Sequence, residues 1–317
     1  MSSNSASFMT RLAGGSGSLL IVMLVLGALL GHFVDGFATW RNVQGLLLSV
    51  TLIGMIAVTM MLVLALGEVD LSVGSTVAMT GVACAVVMSA THSVGLGVAA
   101  GIAAGGLVGL LNGLVVTYLR VNSLIATLAT MEMVRGLAFL VSQGDAVMIS
   151  EDSFFELGAG VFLGIGWPIW ITLLAFVVFG VLLNATVFGR QVLAVGGNAE
   201  AARLAGVPMA RVRVLVFSLQ GLMAGLAGVV LASRITSGQP NTSQGLELSV
   251  ISACVLGGVS LTGGVAGVGG VVLGVLLMGA VQNAMNLVNV PTFYQYLVRG
   301  GILLVAVSVD RLKARRV

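Results

Sequence analysis

Residues 43 to 66 read VQGLLLSVTLIGMIAVTMMLVLAL, an apolar run without a charged residue. A helix rises about 1.5 Å per residue and needs roughly 20 apolar residues to cross about 30 Å of hydrocarbon, so this stretch is long enough to span a bilayer. Working outward, similar runs occupy 18 to 33, 71 to 90, 94 to 118, 122 to 142, 167 to 185, 212 to 235, 247 to 262, 266 to 289 and 293 to 309. Of these, 247 to 262 is the least secure, because Gly257, Gly258, Gly263 and Gly264 suit a broken or re-entrant helix as well as a straight one. The 317 residues are 58% hydrophobic and 8% charged, too little polar surface to coat a soluble globule of this size. The expected fold is an all-α membrane protein: one polytopic domain over 1 to 317 with about ten transmembrane helices.

Charge placement orients it. With the first span retained and the chain starting on the cytoplasmic side, the inner segments collect Arg11, Arg120, Arg190, Arg203, Arg211, Arg213, Arg311, Lys313, Arg315 and Arg316. The outer loops hold only Arg41 and Arg234, so the positive-inside rule places both termini in the cytoplasm. The longest outer segment, 143 to 166, carries Asp145, Glu151, Asp152 and Glu156 without a basic residue and offers a landing surface for an extracytoplasmic partner. A net charge of +3 is too small a field to suggest nucleic-acid binding.

Residues 66 to 74, LGEVDLSVG, echo 256 to 264, LGGVSLTGG, and Asn112 with the V-R-G at 134 to 136 finds counterparts in Asn283 and the V-R-G at 298 to 300. Arg135 then lies in an outward-running span and Arg299 in an inward-running one, as in inverted-repeat halves with broken helices. Chance matching in Gly/Val/Leu-rich sequence is the competing account. Gly101, Gly105, Gly109 and Gly113 share one helix face, suited to close packing within the subunit or at a dimer seam.

The segment 186 to 211 is a cytoplasmic loop holding a short, capped helix, NAEAARLAGVP at 198 to 208. Asn198 is a good N-cap, Glu200 sits where the helix dipole favours an acid, Gly206 suits the C-terminal stop and Pro208 blocks continuation. Ala201, Ala202 and Ala205 give too little apolar area for membrane insertion and suit docking against another protein.

Among polar residues within spans, an uncompensated Asp or Arg at mid-bilayer costs about 2.5 to 3.5 kcal/mol on insertion scales. Asp70 fits either a cap at the interface or a place on a translocation pathway. Arg135 pairs with Glu132 at i, i+3 or lines the pathway, and Arg299 needs a partner from elsewhere or water. Asn112, Asn122, Thr127, Gln220 and Asn283 suit either transient hydrogen bonds to a passing polar solute or bonds between helices. Cys84, Cys254, His32 and His92 form no ligand pattern, so no metal site is expected. A phosphate-binding loop needs a lysine after its glycines, and the only lysine, Lys313, is in the terminal tail. The chain is expected to carry no cofactor and no ATPase site.

E-A-A-x-x-x-G at Glu200, Ala201, Ala202 and Gly206 resembles the coupling-loop motif of bacterial ABC importer permeases, without the later I-x-L-P portion. FGRQVLAVGGNAEAARLAGVP at 188 to 208, LGEVDLSVG at 66 to 74, TLATMEMVRGLA at 127 to 138 and SGQPNTSQGLELSVISACVLGGVSLTGG at 237 to 264 resemble the ribose-type branch, also called carbohydrate uptake transporter 2. Within it, EDSFFELG at 151 to 158 and SGQP at 237 to 240 are similar to the L-arabinose members, with ribose, xylose and galactose transporters remaining alternatives. The resemblance implies a monosaccharide permease of the bacterial inner membrane, working as a homodimer with an ATP-binding cassette subunit that binds ATP and Mg and with a periplasmic sugar-binding protein. It implies ATPase coupling through Asn198, Glu200, Ala201, Ala202, Arg203 and Gly206. An ion-coupled carrier using Glu68, Asp70 or Glu132 is the alternative from another class, and leaves the capped helix unexplained.

Overall fold

The computed structural model describes residues 15 to 314; Arg11, Arg315 and Arg316 lie outside the described residues. Among the described residues there are thirteen helices and four two-residue strands. They are α1 (Gly15–Phe33), α2 (Trp40–Ala65), α3 (Val73–Thr91), α4 (Val94–Tyr118), α5 (Ser123–Ser142), α6 (Asp152–Ala159) and α7 (Trp167–Ala185). After these come α8 (Val187–Gly197), α9 (Ala199–Leu204), α10 (Met209–Ile235), α11 (Leu246–Leu256), α12 (Val268–Leu287) and α13 (Thr292–Ala314).

Among the described residues, seven helices are long and apolar enough to cross a membrane: α2, α3, α4, α5, α7, α10 and α12. The fold is therefore all-α and multi-span, and three of the ten expected spans are outside this set. Helix α1 (Gly15–Phe33) is apolar but counts here only as a shorter apolar helix, and α13 carries Gln295 and Arg299 within its apolar run. The expected span 247 to 262 is the clearest departure, for α11 stops at Leu256 and 257 to 267 is not helical.

The core lies where α2, α3, α10 and α11 meet, and α2 is buried continuously from Met55 to Leu64. Helices α4 and α10 pack through glycine. A Cβ on Gly109 would press into the Phe217 carbonyl and lie 2.9 Å from Gly221 Cα, and one on Gly105 would lie 2.7 Å from Gly225 Cα. The four-residue glycine spacing of α4 is thus used inside the chain, where missing side chains let backbones touch. Van der Waals packing rather than hydrophobic burial holds such pairs in lipid, so each lost contact counts.

The segment 143 to 166 is structured. Strand β1 (Val147–Met148) pairs antiparallel with β4 (Ser237–Gly238), and β2 (Val161–Phe162) with β3 (Ile165–Gly166). Leu163 and Gly164 turn the second hairpin with φ of 52° and 77°, the conformation a tight two-residue loop requires. Phe162 stacks on Trp167 at 5.3 Å.

Helices α2 and α11 end in the same way. Gly67 (φ 77°) follows α2 while Glu68 N donates to Val63 O at 3.2 Å; Gly258 (φ 85°) follows α11 while Val259 N donates to Cys254 O at 3.1 Å. Both are Schellman stops, which glycine permits because it has no Cβ to oppose a positive φ. The turn after each also matches: Ser72 N donates to Asp70 Oδ1 at 2.8 Å, and Thr262 N to Ser260 Oγ at 3.2 Å. The echo of 66 to 74 in 256 to 264 is therefore an echo of backbone geometry. Cys254 bonds Ala57 O, and further along Gly264 N bonds Ala65 O, so α2 and the 254 to 264 stretch progress in the same direction. Mates of an inverted pair would run oppositely, so this echo marks two breaks that adjoin.

Gly109→Val should lower the thermal midpoint of the purified protein in detergent, since overpacking a tight contact costs about 1 to 3 kcal/mol. Gly95→Ala, which meets open space, should be neutral. Equal midpoints for Gly109→Val and the parent would contradict the glycine interface.

Candidate functional site

The break between α2 and α3 comprises residues 66 to 72, and its backbone must find partners inside the protein. Helix α5 supplies them from its first turns: Val69 N donates to Ser123 Oγ at 3.2 Å and Leu71 N to Thr127 Oγ1 at 3.1 Å. Asp70 is 2% exposed, and its Oδ1 accepts from Ser72 Oγ at 2.6 Å as well as from Ser72 N. Asn112 Nδ2 of α4 donates to Ser72 Oγ at 2.9 Å. Asp70, Asn112 and Thr127 thus converge on one buried network that holds the break.

Arg135 and Arg299 converge elsewhere. The chain from 236 to 245 folds back along α3: a Cβ on Gly238 would lie 2.6 Å from Gly81 O, and one on Gly74 would lie 2.6 Å from Ser243 O. Arg135 Nη1, from the middle of α5, donates to Pro240 O at 2.6 Å and Thr242 O at 2.8 Å, pinning this segment. Among the described residues Arg135 makes no close ion pair with Glu132, although the Glu132 charge acts on it; the guanidinium hydrogen-bonds the carbonyls. Glu247, in the first turn of α11, lies within electrostatic reach of both Arg135 and Arg299. Arg299 approaches Gly245 and also lies over the Tyr296 ring at 5.6 Å. Met131, Glu132, Arg135, Gln244, Gly245 and Glu247 line a cavity of about 300 Å³. On the same helix α5, Met133, Leu137 and Leu140 are exposed.

Asn122 caps α5 by accepting from Leu124 N at 3.0 Å, and lines a second cavity of about 550 Å³ with Glu68, Thr117, Arg120 and Arg213. Glu68 and Arg213 approach to 3.4 Å across it. Asn283 and Asn42 exchange two amide hydrogen bonds of 2.9 Å, clamping α12 to the start of α2. Gln220 is fully buried in α10, and neither amide atom has a hydrogen-bond partner among the described residues.

The short helix α9 has the expected ends. Asn198 Oδ1 accepts from Ala201 N at 2.9 Å, and Gly206 at φ 78° closes a Schellman stop in which Val207 N donates to Ala202 O at 3.0 Å. Ala202 is buried and fastens the helix, whereas Glu200, Ala201, Arg203 and Leu204 face outward. Arg203 grips Glu200 through Nη2 at 2.6 Å and Nε at 3.2 Å. Both side chains are largely exposed, so the pair contributes little to stability and leaves a charged, mostly side-chain-poor face free.

Sequence reasoning singled out Arg135 and Arg299 but missed Gln244 and Glu247, which complete their cavity. The signal was an acid seven residues after Pro240 at the start of an apolar run; only the fold brings it to two arginines.

A family described as "Branched-chain amino acid transport system / permease component" matches residues 42 to 307. An L-arabinose ABC transporter permease protein of Azospirillum brasilense is 63% identical over 295 residues, covering 93% of this chain and 87% of that protein. The L-arabinose transport system permease protein of Escherichia coli (strain K12) is 54% identical over 297 residues, covering 94% and 90%. The ribose import permease protein of Bacillus subtilis (strain 168) is 41% identical over 304 residues, covering 92% and 94%. No solved structure matches the chain.

Replacing Arg135 by Met should leave the Pro240 and Thr242 carbonyls unpaired at a cost of about 1 to 3 kcal/mol, read as roughly tenfold or faster amide exchange in 239 to 245. Unchanged exchange there would show that the arginine does not pin the segment.

Proposed function

Because the chain belongs to the branched-chain amino acid transport system permease family, we propose that it is the membrane-spanning permease subunit of an ATP-driven importer of a monosaccharide, L-arabinose first. The observation that carries this reading is 63% and 54% identity to two L-arabinose permeases across nearly the whole chain. Ribose is the second reading, on the 41% relative.

The nucleotide, with its Mg, belongs to a separate ATPase subunit, and the chain performs no chemistry of its own. The segment 186 to 211 is the coupling loop, and α9 docks in the ATPase through Asn198, Glu200, Ala201, Ala202, Arg203 and Gly206. Its rigid caps suit it to move as one body. A periplasmic binding protein delivers the sugar to the outer face, where 143 to 166 forms folded structure rather than a slack loop.

The cargo is neutral and rich in hydroxyls, so a path needs donors and acceptors that bind it weakly enough to release it. The cavity at Glu132, Arg135, Gln244 and Glu247, with Arg299 beside it, supplies both: guanidinium N–H donates to sugar oxygens and carboxylate accepts from sugar hydroxyls. The exposed apolar residues of α5, Met133, Leu137 and Leu140, suit contact with a second copy, giving a homodimer around one path. Asp70, Asn112 and Thr127 act on the path indirectly by holding the α2–α3 break, and Asn122 lines its inner vestibule. Ten crossings, with α11 as a half-span completed by 257 to 267, both termini in the cytoplasm and two related halves meeting near Arg135 and Arg299, is the topology that agrees with the charge distribution. The membrane is the bacterial inner membrane.

Vesicles containing the chain, its ATPase and its binding protein should accumulate labelled L-arabinose only with all three and ATP. Uptake by the chain alone on an ion gradient would overturn the proposal, and uptake of ribose instead would favour the second reading. Glu247→Gln should cut uptake by roughly 5-fold or more, the scale of one lost coupling contact, without changing assembly. Glu200→Lys and Gly206→Pro should break the link between hydrolysis and uptake while the chain still folds; Pro cannot take φ 78° and removes the N–H that donates to Arg203 O. Wild-type uptake in both variants would remove α9 as the coupling element.

A further inference from the structure

We propose that Gly67, Gly196, Gly197, Gly263 and Gly264 form a single backbone joint through which α8 moves both membrane breaks at once. The inference rests on the reading of α9 as the ATPase-docking element and adds the route by which its motion reaches the cavity.

Helix α8 ends at Gly197, and Asn198 begins α9 directly, so the two short helices share one corner. That corner lies against both breaks. A Cβ on Gly196 would press into the Ala65 carbonyl and lie 2.8 Å from Gly264 N. One on Gly263 would lie 2.7 Å from Gly196 O and 2.9 Å from Gly67 N, and one on Gly264 would lie 2.7 Å from Gly197 Cα. The breaks are tied to each other as well: Gly264 N donates to Ala65 O at 2.9 Å, and a Cβ on Gly67 would lie 3.3 Å from Thr262 O. Three separate stretches of chain therefore meet backbone to backbone. Gly67, Gly263 and Gly264 hold φ of 77°, 88° and 77°, which side-chain-bearing residues rarely adopt.

A contact without side chains has no rotamers to absorb displacement. Close-packed backbone transmits strain, and movement of α8 by a fraction of an ångström must displace Ala65 and Gly264 together. From this joint the chain continues through 66 to 72 into α3, while the second break leads back into α11. The other ends of these paths meet again: a Cβ on Gly74, in the first turn of α3, would lie 2.5 Å from Glu247 Oε2 of α11. Glu247 lines the cavity. The joint at one end and the Gly74–Glu247 contact at the other enclose a loop of structure, so a push from α8 changes the spacing of α3 against α11 where the cavity is lined. Gly196 and its partners are positioning residues, for none of them touches the cavity.

Amide exchange on the assembled importer in lipid nanodiscs, with and without ATP plus vanadate, tests the joint. ATPase binding should protect 198 to 206, and nucleotide should then change exchange in 66 to 72 and 257 to 267 together. Gly196→Ala, whose Cβ forces Ala65 and Gly264 aside, should change exchange in both breaks already without nucleotide and lose the further nucleotide response, with uptake per ATP hydrolysed falling by roughly 5-fold or more. Gly197→Ala, whose Cβ would meet Gly264 Cα at an ordinary 3.7 Å, should respond like the parent. If Gly196→Ala does not assemble, the paired response of the unmodified complex decides. Protection of 198 to 206 with a response in one break or neither would overturn the joint and leave the coupling reading standing. A parental response in Gly196→Ala would overturn it too. Failure of the ATPase to protect 198 to 206 would overturn both.

Discussion

Leu66, Gly67 and Glu68 close α2 with bonds to its own carbonyls, but Val69, Leu71 and Ser72 carry backbone N–H groups that find no helix carbonyl, between helices whose surroundings are largely apolar. An unsatisfied amide in an apolar interior costs on the order of 2 to 7 kcal/mol, so a break of this length survives only with dedicated partners. Ser123 and Thr127 accept from Val69 and Leu71, Asp70 accepts from Ser72, and Asn112 joins the chain from a third helix. The arrangement of α2, α3, α4 and α5 follows from this requirement. Once α5 must present Ser123 and Thr127 to the break, Arg135 on the same helix reaches the segment 240 to 242.

The same requirement recurs at 236 to 245, a non-helical stretch lying along a membrane helix. Its carbonyls are met by a guanidinium, and the charge so introduced is answered by Glu247 and shared with Arg299. Charges inside a membrane are costly; here Arg135 and Glu247 line one cavity within reach of each other's charge. Structure that a soluble protein would use as a surface loop becomes, in this setting, the wall of a polar space.

Much of this was legible in sequence where the physics is local. Hydropathy marks α2, α3, α4, α5, α7, α10 and α12 because crossing a bilayer is a matter of length and apolarity. The caps of α9 at Asn198 and Gly206 were readable because an N-cap bond spans three residues and a Schellman stop five. The glycines after Leu256 signalled a break, yet hydropathy alone extended the span to 262 because Val259, Leu261 and Val265 are as apolar as a helix interior. What stayed hidden is non-local. Arg135 reads as a partner for Glu132 and instead bonds carbonyls more than a hundred residues away. Asn283 reads as a pathway amide or an interhelical one, but its partner Asn42, far away in sequence, could not be read, and the echo of 66 to 74 in 256 to 264 gives no hint that the two stretches touch.

The account stands on the polar space beside Arg135 being open to water from the outer side and closed as ATP drives the cycle. A cysteine at Gln244, in the assembled importer, should react with a charged, membrane-impermeant thiol reagent added outside; the native Cys84 and Cys254 are buried. Reaction should proceed in the resting complex and fall sharply with ATP and vanadate. A cysteine at this position that never reacts in either state, while the importer still takes up sugar, would contradict it.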